Sequence, residues 1–297
     1  MPAVTLWPLR SFLLLSLAGL TAQSLAPAAQ VIGSARTALA TVEDIRTGRR
    51  VVDVGADDFV VQEGAEEREV LSVRPADYPV VLMIDTGAAA DDLVAIQKAA
   101  KRFLERLGSE RPAAAGTFDG RARMLSGFDS DRSALTRQLD DLATAGPAVS
   151  SPAEALALAA GTLAATGAPF TAIVLLSAAA GEDREAADGQ DAGGPVSSHG
   201  AILHVVAQRS SRSNVRSNTA AAAPNRDDGL RAAAEQSRGQ FVTIYTAASF
   251  EAALDQLAAR MTSELMIEYL VPNQSKATDV RLGVRVPGTR VRGLGVR

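Results

Sequence analysis

The hydrophobic and polar positions change rhythm along the chain. Between residues 31 and 74, short β-branched runs alternate with turn residues. Thr37 to Val42, Val51 to Val54, Phe59 to Gln62 and Glu69 to Val73 read as strands, parted by Thr47-Gly48, Gly55-Ala56-Asp57 and Glu63-Gly64. From Pro79 onward the rhythm becomes strand, then amphipathic helix. Val80 to Ile84 is a continuous apolar run ending at Asp85, the pattern of a parallel strand covered on both faces. Leu93, Ile96, Ala100, Phe103, Leu104 and Leu107 follow at helical spacing. Asp91 and Asp92 sit where the helix dipole favours acids, and Gly108 sits where a helix stops.

The alternation continues. Strands are predicted at Ala113 to Phe118, Ala122 to Phe128, Thr171 to Leu176, Ala201 to Ala207 and Gln240 to Tyr245; helices at Ser133 to Leu142, Pro152 to Thr166, Asp227 to Ser237 and Ser249 to Thr262. The expected fold is α/β: a doubly wound, mainly parallel six-stranded sheet, Rossmann-like in plan. Residues 178 to 199 and 208 to 226 are small and polar without apolar periodicity and read as long loops, the first holding His199. Strands return at Leu265 to Val271, Val280 to Val286 and Arg290 to Val296, and are expected to pair with the N-terminal strands as a small β-sandwich. The plan is therefore an N-terminal β module at 31–75, an α/β domain at 79–263 and C-terminal strands at 264–297.

Composition narrows the function classes. With 47% hydrophobic residues but only 4% aromatic, the core of this 297-residue chain must be mostly Leu, Val, Ile and Ala. A net charge of −4 without clustered Lys and Arg points away from nucleic acid. Zero cysteines exclude disulfides and thiolate metal sites. At the start, Arg10, the apolar run Ser11 to Leu20 and the small-residue sites Leu20-Thr21-Ala22 and Ser24-Leu25-Ala26 read as a signal peptide over residues 1–26. Export to the periplasm or beyond is expected, with membrane attachment only if residues 5 to 26 stay uncleaved.

The chemistry concentrates at Asp85-Thr86-Gly87-Ala88-Ala89, the turn leaving the first sheet strand. With the order of elements, that acid resembles the von Willebrand factor type A (vWA) domain. The stretch Asp58-Phe59-Val60-Val61-Gln62-Glu63-Gly64 before it, and Tyr269-Leu270-Val271-Pro272 after, are similar to the VWFA-related Acidobacterial domain group. The resemblance implies a metal-ion-dependent adhesion site (MIDAS), in which a D-x-S-x-S turn, a threonine and a second aspartate hold a divalent cation completed by a ligand carboxylate. Here Asp85 is kept, Gly87 and Ala89 stand at the serine positions, Ser150 or Ser151 stands at the threonine and Ser177 at the aspartate. The site is thus read as a degenerate MIDAS, with Asp85, Thr86, Gly87, Ala89, Ser150 and Ser177 lining a ligand-binding crevice. No cofactor is expected, although Thr86, Asp91 or Asp92 could compensate enough to hold Mg²⁺ at Asp85.

The same residues, Ile84-Asp85-Thr86-Gly87-Ala88, also resemble the D-T-G-A turn of retropepsin-like aspartic proteases, which would make Asp85 an acid or base in a hydrolase. That turn belongs between β-strands, and here a helical pattern follows it. His204, inside the apolar run Ile202 to Val206, reads as a satisfied core histidine, and Arg281, Arg285, Arg290, Arg292 and Arg297 as a solvated face. The expectation is an exported, non-enzymatic vWA-like module that binds a protein partner without metal. The alternatives are an aspartic-protease-like hydrolase and a structural component of an envelope assembly.

Overall fold

The computed structural model describes residues 33–119, 121–144, 151–178, 193–209, 226–272 and 279–297. The expected signal peptide, Ser150 and most of the two expected long loops lie outside the described residues.

Strand β6 (Val80–Asp85) is buried at every position. Its side chains alternate between two cores: Val80, Leu82 and Ile84 face one cluster, Val81 and Met83 the other. Around it lie β7 (Ala113–Phe118), β8 (Ala122–Met124), β9 (Ala172–Ser177), β10 (Ile202–Gln208) and β11 (Gln240–Ile244), in the six-stranded order β11-β10-β9-β6-β7-β8. All neighbours are parallel except the β7–β8 hairpin. Helix α1 (Ala90–Leu107) lays Leu93, Ile96, Ala100, Phe103, Leu104 and Leu107 into the first core, beside Phe250, Leu254 and Leu257 of α6 (Ser249–Met261). Helix α3 (Pro152–Ala164) lays Leu156, Ala159, Ala160 and Leu163 into the second, beside Leu230 and Ala234 of α5 (Arg226–Gln236). Ser151 caps α3 by accepting the N–H of Glu154 at 3.3 Å, with Pro152 in the first turn. Helix α2 (Arg132–Asp140) buries Leu135 and Leu139.

The strands at the two ends form the sandwich. One sheet orders β14 (Thr289–Val296), β1 (Gly33–Asp44), β12 (Glu264–Pro272) and β5 (Val70–Pro75), with β2 (Arg50–Val51) also on β1. The other orders β13 (Val280–Val284), β3 (Phe59–Glu63) and β4 (Glu66–Arg68). Phe59, Val61, Ile267 and Tyr269 fill the space between them, while Leu39, Met266 and Leu294 face the α/β core.

The fold class is as expected, and the differences are local. The run Glu69 to Val73 is strand β5, shifted to Val70–Pro75 and paired with β12, and an additional short strand, Glu66–Arg68, turns back on β3 ahead of it. Strand β8 stops at Met124, and Ser126 instead hydrogen-bonds to Ala115 N–H through its hydroxyl at 3.1 Å. Residues Gly193–His199, expected as loop, form a seven-residue helix α4 held by the single buried side chain Val196, and His199 is its last residue. Among the described residues no helix is long and apolar enough to cross a membrane.

Candidate functional site

The chain winds from β6 to β7 and β8 on one side, then returns to β9 and proceeds to β10 and β11 on the other. The order reverses between β6 and β9, and in open α/β sheets the crevice beyond the carboxyl ends at that reversal is where ligands sit. Ile84 lies opposite Leu176, so Asp85 and Ser177 end neighbouring strands side by side; Phe118 flanks Asp85, and Ala207 flanks Ser177.

The turn after β6 is tied down by its own polar groups. Asp85, 1% exposed, accepts the N–H of Gly87 on Oδ1 at 3.0 Å. Thr86 is fully buried; its N–H donates to Phe118 O and its Oγ1 to Asp119 Oδ2, both at 3.0 Å. Thr144 Oγ1 donates to Ala88 O at 2.9 Å, and Gln208 Nε2 to Asp92 Oδ2 at 3.3 Å. Four elements thus meet at this rim.

The structure sets Asp85, Thr86 and Gly87 in one turn, with Asp85 beside Ser177 on the neighbouring strand, and leaves Ala89 exposed. Ser151 stands at the start of α3, its hydroxyl engaged as the helix cap. Gly87 and Ala89 bring no side-chain oxygen, and among the described residues no three His, Asp or Glu side chains gather in a metal-like cluster. The Asp-Thr-Gly-Ala turn runs from a parallel strand into the 18-residue helix α1, so the two β-strands that frame such a turn in an aspartic protease are absent around it. Asp119, Thr144 and Gln208 were not singled out from the sequence; Asp119 alone carried a signal, closing β7 ahead of a glycine.

A second polar group lies near the amino ends of the strands. Tyr78, Arg111, Glu264 and His204 are all buried. Burial holds the Tyr78 phenol well above its usual range, reinforced by the Glu264 charge. Burial also raises the Glu264 carboxyl, against the opposing hydrogen bond from Tyr78 and the charges of Arg260 and Arg111. His204 faces the same core as Ile202 and Val206, but among the described residues neither ring nitrogen has a hydrogen-bond partner, which corrects the expectation of a satisfied histidine. Burial, with Arg260 adding to it, pushes its pKa down to about 3 and keeps it neutral.

No protein-family model and no curated protein matches the chain. Solved structures do. A von Willebrand factor type A protein from Catenulispora acidiphila is 15% identical with a TM-score of 0.50, covering 83% of this chain and 74% of that one. Proximal thread matrix protein 1 from the mussel byssus is 7% identical with a TM-score of 0.49, covering 64% of this chain; this chain spans 48% of that protein's length. The vWF domain of the type V pili tip protein Mfa5 from Porphyromonas gingivalis is 14% identical with a TM-score of 0.47, over 63% and 96% of the two chains. At these identities the likeness is one of fold, and with the observed strand order it gives the chain a von Willebrand factor type A fold.

Proposed function

We propose that this von Willebrand factor type A fold is a non-catalytic protein-interaction module that acts outside the cytoplasm and grips its partner at the crevice beyond β6 and β9 without a metal. The observation that carries the reading is the Asp85–Ala89 turn. Gly87 and Ala89 offer no side-chain oxygen, the Thr86 hydroxyl is engaged by Asp119, and Asp85 turns one oxygen back onto its own loop. Mg²⁺ surrenders its water only to a near-octahedral set of oxygens, and this donor set does not fit it. A rigid rim held by side-chain hydrogen bonds suits recognition of a shaped surface, because little ordering is needed on binding. The apolar N-terminal run supports export.

Two measurements test this. Calorimetric titration with Mg²⁺, Mn²⁺ and Ca²⁺ should give no saturable heat; a stoichiometric heat abolished by Asp85→Ala would overturn the metal-free reading. Partner capture from the extracytoplasmic fraction should survive EDTA and be lost in Ala89→Arg, which places a bulky cation on the exposed rim. Undiminished capture by that variant would move the interface elsewhere.

A further inference from the structure

At the far end of the sheet from the crevice, a cleft of 780 Å³ opens between β14 and the base of the α/β domain, lined among others by Phe170, Ile202, Arg238, Leu282, Leu294 and Arg297. Its size falls within the range of ligand-binding pockets. Several irregularities converge on it. Among the described residues β14 ends its sheet, and no strand pairs with its outer edge. Pairing with β1 jumps from Gly293 opposite Ala40 to Gly295 opposite Leu39, leaving Leu294 as the extra residue of a bulge, a device common at sheet edges and binding sites. Arg297 exchanges both backbone hydrogen bonds with Thr37, so by antiparallel alternation Val296 turns its N–H and C=O away from β1.

Charge adds direction. Arg238 has φ 65, a conformation that favours glycine, and from there its guanidinium donates to Leu294 O at 2.8 Å. Arg297 donates to Gly200 O at 2.8 Å. Each guanidinium has five donors, and these are the bonds each side chain makes; among the described residues neither has an acidic partner within 4.0 Å. The cleft's own carboxylate, Asp279, is paired with Arg281 at 2.7 Å. An open strand edge, apolar walls and two cations without acids call for an extended chain bearing a carboxylate.

We propose that this cleft binds an extended acidic peptide segment, which adds to the free edge of β14 while its carboxylate is taken by Arg238 and Arg297. This site is separate from the crevice at Asp85 and does not depend on the reading of it. A displayed library of random heptapeptides panned against the whole chain tests it. The selected pool should be enriched in Asp and Glu alternating with β-branched residues. Binding of a selected peptide, followed by fluorescence anisotropy, should weaken about tenfold or more in Arg238→Gly and in Arg297→Ala. N-methylation of alternate peptide amides should abolish it, and Ala89→Arg should leave it unchanged. Glycine suits the backbone at position 238, so a lost signal there with an unshifted melting curve reports the missing cation and not unfolding. Failure to select any peptide, a pool without acids, equal affinity in both arginine variants, or full affinity of the N-methylated peptide would each overturn the proposal.

Discussion

The hydroxyl of Tyr78 donates to the carboxylate of Glu264 across 186 positions of sequence, tying the residue that leads into β6 to the first residue of β12. Both side chains are buried, with the Arg111 guanidinium 4.6 Å above the Tyr78 ring and Arg260 Nε 3.7 Å from the Glu264 carboxylate. Arg111 in turn donates to Met261 O at 3.0 Å and to Ala76 O. The junction between α/β domain and sandwich is therefore polar at its centre, and a buried carboxylate there is tolerable only while its donors remain.

Tyr78→Phe keeps the ring under Arg111 but withdraws the hydrogen bond. The expected loss is about 1 to 3 kcal/mol, the usual range when a buried acceptor loses its donor. A lower urea midpoint with an unchanged slope would register it; an unshifted midpoint would mean that Glu264 is satisfied without the phenol.

His204 should make the protein acid-labile. Its pKa is about 3 folded against 6.5 unfolded, so between those values the unfolded chain binds the extra proton. Stability from neutral His204 is present above 6.5 and is lost as pH falls toward 3, by up to about 5 kcal/mol across the window. Other groups titrate there too, so the readout is the difference between proteins. Melting temperatures of wild type and His204→Leu should diverge on acidification, with the variant falling less steeply.

Gly239 enters β11 against the backbone of β10. A Cβ built there would lie 1.6 Å from Leu203 O, an atom the sheet holds in place. Gly239→Ala is expected to cost about 3 kcal/mol or more, since overpacking against backbone has no rotamer to relieve it. Thermal unfolding followed by circular dichroism is the check.

Thr86→Val exchanges the hydroxyl bonded to Asp119 for a methyl of similar shape. The expected cost is about 1 kcal/mol, the net worth of one part-buried hydrogen bond. If Thr86 instead served a bound cation, wild type but not the variant would gain melting temperature from added Mg²⁺, and a matched pair of melts separates the cases.

The α/β alternation was legible because strands buried on both faces, such as Val80–Asp85 and Ala172–Ser177, read as unbroken apolar runs, and because α1 carries its apolar stripe at full helical spacing. Helix α4 was not, since seven residues with one buried side chain hold no period to detect. The full length of β1 was hidden for another reason. Gly33 to Arg36 are strand because Pro272 to Tyr269 lie opposite, a partnership no local window contains. At the crevice, Asp85 and Ser177 could be placed because strand ends are readable, whereas the links from Thr86 to Asp119 and from Gln208 to Asp92 depend on which strands become neighbours. The Tyr78–Glu264 pair was invisible for the same reason.

The pairing of Gly33 with Pro272 also sets a timetable for synthesis. At about 5 to 20 residues per second, the first strand waits on the order of ten to fifty seconds before β12 or β14, its long partners, has been translated. During that interval Ala38 and Ala40 have only the early-made Val54, Phe59 and Val61 of their core beside them, without the sheet partners that later flank them. Until then the backbone of β1 is paired only where β2 reaches it, at Val42 and Glu43.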